Sequence, residues 1–108
     1  MGGTIHLPLS QQLVILAKAE TRDGSLAPIG RRSEVIRSLE QFNTAPEAPG
    51  KDVLYGPGIR IELPPGDPVA QMLLTVVEDE IAWEVIMRVG RALQWRLLDP
   101  GTGRELRL

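Results

Sequence analysis

Residues 72–77, MLLTVV, carry five apolar side chains in six positions and show no alternation of apolar with polar. Successive side chains of a strand point to opposite faces, so a strand with one wet face must alternate. A run that is apolar on both parities needs cover on both faces or a place inside a sheet with neighbours on both edges. The segment LVILA at 13–17 reads the same way. IRIEL at 59–63 does not: Ile59, Ile61 and Leu63 alternate with Arg60 and Glu62, the pattern of a half-buried strand.

Two segments have helical spacing instead. Between 31 and 42, Val35, Ile36, Leu39 and Phe42 fall on one helix face, with Ser33 as the expected N-cap. From Asp79 to Gln94, Ala82, Val85, Ile86, Val89 and Leu93 share one face, and Glu80, Glu84, Arg88 and Arg91 the other. Acids open this helix and arginines close it, which complements the helix dipole, and Glu84 stands four residues before Arg88. Asp79 is the expected N-cap.

The proline- and glycine-rich stretches 43–52 (NTAPEAPGKD) and 64–68 (PPGDP) are read as connections, because proline disfavours helix in the residue before it. Residues 13–20 are expected to form a strand ending at the Asp23-Gly24 turn; the alternative is a helix capped by Ser10, with Leu13, Leu16, Ala17 and Glu20 at helical spacing. Residues 59–63 and 72–77 then make a hairpin, and 95–108 a second one turned at Asp99-Pro100 and its glycines.

The order is β-α-β-β-α-β with a short extra C-terminal strand, the arrangement of a ferredoxin-like split βαβ sandwich: an α+β domain over 1–108 with two helices on one face of an antiparallel sheet. Residues 1–12 are expected to be a flexible lead-in. In that topology the first and third strands are central and the second and fourth lie at the edges, which matches the doubly apolar and alternating runs.

Composition removes several classes of function. The chain has no cysteine and one histidine, His6, so thiolate metal sites, disulfides and cysteine nucleophiles are excluded, and no metal or other cofactor is expected. A formal charge of −2 gives no basic field for general nucleic-acid binding, and the four aromatic residues lie outside the expected central strands, where an RNA-binding sheet would stack bases. No segment has the apolar length of a membrane span, and the N-terminus lacks the charged start of a secretory signal, so a cytoplasmic protein without membrane association is expected.

Glu78, Asp79 and Glu80 are the densest titratable cluster. Neighbours on a helix diverge by about 100°, so the acids are read as a helix start and not as a metal or catalytic site. Arg31 and Arg32 precede a helix, where free N–H groups can hold a phosphate or carboxylate, and they are the candidate ligand-binding residues. The loops LYGPGI (54–59) and DPGTGRE (99–105) run into no expected helix and are read as turns.

Catalytic residues are not apparent. Two helices cover one sheet face, yet both central strands are apolar on both, so Leu73, Val77 and either Val14/Leu16 or Leu13/Ile15 are left facing outward. Such a patch exceeds the few hundred Å2 that monomers usually expose. With Trp83 and Met87, four apart on the flank of the second helix, these are the candidate interface residues. The expected function is a non-catalytic interaction or regulatory module, a homodimer or partner of another protein. The alternative is a small-ligand sensor or weak enzyme with its pocket between the open face and a partner subunit.

Overall fold

The computed structural model describes residues 11–18 and 27–106. His6, Ser10, the Asp23-Gly24 turn, most of the lead-in 1–12 and the ends of the first and last expected strands lie outside the described residues. The elements run β1 (Gln12–Leu16), α1 (Arg32–Glu40), β2 (Ala45–Pro46), β3 (Val53–Gly56), β4 (Ile59–Glu62), β5 (Gln71–Val76), α2 (Asp79–Leu93) and β6 (Arg96–Leu98). Together they form an α+β unit with one six-stranded sheet in the order β2-β3-β4-β5-β1-β6, every pairing antiparallel.

The doubly apolar runs occupy the interior, as their pattern demands. β1 pairs with β5 on one side and β6 on the other, and β5 pairs with β1 and β4. Side chains of one parity, Leu13, Ile15, Leu54, Ile61, Met72, Leu74 and Leu97, form a single core with Val35 and Leu39 of α1 and Ala82, Ile86 and Val89 of α2. Both helices therefore lie on the same face. The strand reading of 13–20 holds over 13–16, Ala17 and Lys18 fall outside β1, and Gln12, assigned to the lead-in, already belongs to it.

The strand order differs from the expected one. The segment 43–52 is not wholly a connection: Ala45–Pro46 pairs with Leu54–Tyr55, and Val53–Gly56 pairs with β4. β4 is thus interior and not an edge. Its alternation reflects a sheet face without helices, where Arg60 and Glu62 project, and says nothing about its hydrogen-bonding edges. At the other end the described residues of the terminal hairpin show an isolated bridge, Leu98 to Glu105.

Both N-caps also move. α1 is capped by Arg31 and not Ser33, with the Arg31 N–H donating to the Glu34 carboxylate at 3.4 Å. The Arg32 N–H donates to the Asp67 carboxylate at 2.9 Å, so a loop residue distant in sequence supplies an acceptor to the first turn. α2 is capped by Glu78 and not Asp79; Glu78 is extended (φ −129, ψ 105) and makes no side-chain cap bond.

Gly58 ties β4 to this helix start. Its carbonyl accepts the N–H groups of Val77 and Glu78, at 2.8 and 3.0 Å. With φ at +71 and backbone atoms of Glu78 and Ala82 2.9 Å from where a Cβ would sit, the position takes only glycine without strain. Among the described residues no helix is long and apolar enough to cross a membrane.

Candidate interaction face

Register defines the face of the sheet away from the helices. The pairings Val53–Glu62, Glu62–Leu73, Leu73–Val14 and Val14–Leu98 make one cross-strand row running from β3 to β6. The adjoining row runs Ala45, Tyr55, Arg60, Thr75, Gln12. Of the two pairs left open by the sequence, Val14/Leu16 lies on this face and Leu13/Ile15 in the core.

Exposure is uneven across the face. Thr75 and Leu16 are buried, the first beside the Gln12 amide, which donates to its hydroxyl at 3.5 Å. Val14, Leu73 and Leu98 are half-buried and consecutive in one row, so their accessible parts form a continuous apolar band bounded on the β4 side by Glu62. Beside the band is a shallow depression of about 310 Å3, lined by Val14, Leu73, Leu63, Pro64, Glu62 and Gln71.

Among the described residues the most exposed large apolar side chains are Tyr55 (47 %), Val77 (59 %) and Ile81 (43 %). Val77 follows β5 at the parity of Leu73 and Thr75. Tyr55 and Ile81 escaped sequence reasoning. Tyr55 sits on a strand too short to recognise, and Ile81 lies off the apolar stripe that carries the rest of α2.

Trp83 is half-buried and packs against the core, and Met87 is half-buried one turn later. They belong to α2 and are not brought together with Leu73 on the helix-free face.

Arg31 and Arg32 diverge. Arg31 is exposed, whereas the Arg32 guanidinium donates to the carbonyls of Pro64 at 2.7 Å and Gly66 at 3.5 Å and pairs with the Asp52 carboxylate. With its backbone N–H on Asp67, Arg32 fastens the start of α1 to two loops at once. An external anion there would compete with two carboxylates already in place.

Glu78, Asp79 and Glu80 are all exposed, and among the described residues no group of three potential metal ligands occurs. Of LYGPGI, read as a turn, Leu54–Gly56 belong to β3 and Ile59 to β4, leaving Pro57 and Gly58 to make the turn, and Asp99 accepts the Gly101 N–H at 2.8 Å within the last turn. Compared with models of known families, with characterised proteins and with solved structures, the chain matches none.

Proposed function

We propose that the chain is a non-catalytic interaction module that pairs with a second copy of itself through the helix-free face of its sheet. The observation that carries the reading is the band of Leu73, Val14 and Leu98, three apolar residues in register on interior and edge strands, half-accessible on a face that neither helix covers. A two-fold contact buries the same patch on both copies and needs no second partner. Exposed Tyr55 lies on the same face beyond Arg60 and Glu62 and supplies the aromatic contact area favoured at interfaces. Light scattering across a concentration series tests the pairing.

The fold on which this face is built is proposed to be a ferredoxin-like split βαβ extended at one edge by the β2–β3 hairpin. What supports this is the sub-order β4-β5-β1-β6, in which the two strands that precede helices are neighbours at the centre.

The depression beside Glu62 and Gln71 favours a second reading, a small ligand held between this face and a partner subunit. A melting-temperature panel of amino acids, nucleotides and organic acids separates the two, since a ligand specific to the folded state must raise the transition.

A further inference from the structure

At the far edge of the sheet the chain reverses on Gln94, which takes the left-handed conformation (φ 57) and ends α2. The reversal brings Arg91, in the last turn of the helix, close to Trp95 and Arg96 at the start of β6. Because Leu16 pairs with Arg96, Lys18 leaves β1 at this same end. The four residues, with Gln94 and Glu105, line an open cleft of about 840 Å3.

The charges of the cleft's described residues run against the chain as a whole. Its described lining holds three cations and one carboxylate, in a protein of formal charge −2. Arg96 is engaged, with Glu105 3.9 Å away. Lys18 and Arg91 are exposed and make no ion pair or side-chain hydrogen bond among the described residues. Arg91 complements the negative end of α2. That role leaves unexplained the arrival of Lys18 and Arg96 from two other elements.

Trp95 is half-buried; it packs against the core and also lines the cleft, so part of its indole is left for a ligand.

We propose that this cleft binds a small phosphate-bearing metabolite with a planar base. Lys18 acts as a point charge and Arg91 as a guanidinium fork on the phosphate, and Trp95 lies against the base. The binding groups are Lys18, Arg91 and Trp95, none of them in the band of Leu73, Val14 and Leu98, whereas Arg96, opposite Leu16, shares that band's face of the sheet.

Trp83→Phe leaves Trp95 as the sole tryptophan and is the background for the test. Adenosine 5′-monophosphate is titrated against Trp95 fluorescence, with adenosine at equal concentration and sodium chloride at matched ionic strength as controls. A saturable change with the nucleotide is expected, weakened about tenfold or more by Lys18→Gln combined with Arg91→Gln. Both side chains are exposed, so the double variant should melt near the parent, and Lys51→Gln, in the loop between β2 and β3 near the opposite sheet edge, should bind as the parent does. No saturable change, equal binding of adenosine and the nucleotide, or undiminished binding by the double variant would overturn the proposal.

Discussion

Val14 and Leu73 stand directly opposite each other on β1 and β5, both half-buried, on the side of the sheet that carries no helix. Their neighbours Leu13 and Leu74 are also a direct pair, and these lie in the core. The two strands are therefore apolar on both faces for two reasons. One face packs under α1 and α2, and the other presents the surface proposed for pairing.

Arg32 is expected to be a structural residue. Arg32→Ala removes hydrogen bonds to Pro64 and Gly66 and the Asp52 contact, and should cost about 1–3 kcal/mol in urea unfolding. Most of that comes from the carbonyl contacts, because Asp52 is largely exposed and a solvent-screened pair contributes little. Arg32→Lys should recover only part, since an ammonium lacks the fork that reaches the Pro64 carbonyl and Asp52 together. A loss of phosphate binding without loss of stability would instead make Arg32 a ligand residue.

Glycines 58 and 50 offer a matched comparison. Both have positive φ, +71 and +86, but a Cβ meets backbone at 2.9 Å at Gly58 and nothing within 4 Å at Gly50. Gly50→Ala should cost about 1–2 kcal/mol for the conformation alone. Gly58→Ala should cost clearly more, because strand turn and helix start must separate. Equal losses in denaturant unfolding would show that the β3–β4 turn is not wedged against α2.

The start of α2 can be improved. Glu78 has extended cap geometry without a side-chain cap bond, so Glu78→Ser should stabilise by about 0.5–1 kcal/mol. Asp79→Ala, which removes a first-turn charge and no cap, should cost only about 0.3–1 kcal/mol. Millimolar magnesium should leave the melting temperature unchanged. A rise of several degrees that Asp79→Ala abolishes would make the acids a metal site.

Trp83→Ala should lower stability by about 2 kcal/mol, less than the ~3–5 kcal/mol of a fully buried aromatic, because the indole packs on the core with part of its surface wet. Unchanged stability with altered association would move Trp83 from the core rim to an interface.

Periodicity made the interior strands and both helices legible, because each buries a face long enough for its period to show. β3 was hidden by length: Val53, Leu54 and Tyr55 are too few to alternate, and their strand character comes from pairing with β4 across the Gly58 turn. β2 was hidden by Pro46 and Pro49, which mark a connection even though two residues of it pair. Ser33 and Asp79 were reasonable caps by type, yet Asp67 and Gly58 meet the helix starts from distant loops, a tertiary choice that local preference does not encode. The outward set is legible at Leu73 and Val77, with either Val14/Leu16 or Leu13/Ile15 beside them, and the register selects Val14/Leu16. Burial of Leu16 narrowed it, and Tyr55 widened it.

Pairing through the helix-free face is tested most directly by light scattering at tens of micromolar, on the wild type and on Leu73→Lys. The wild type should give a mass near twice 11.9 kDa, and Leu73→Lys should give the monomer with its melting transition retained, since the side chain is half-accessible. A wild-type chain that stays at 11.9 kDa across the whole concentration range, or a Leu73→Lys variant that remains paired, would contradict the account.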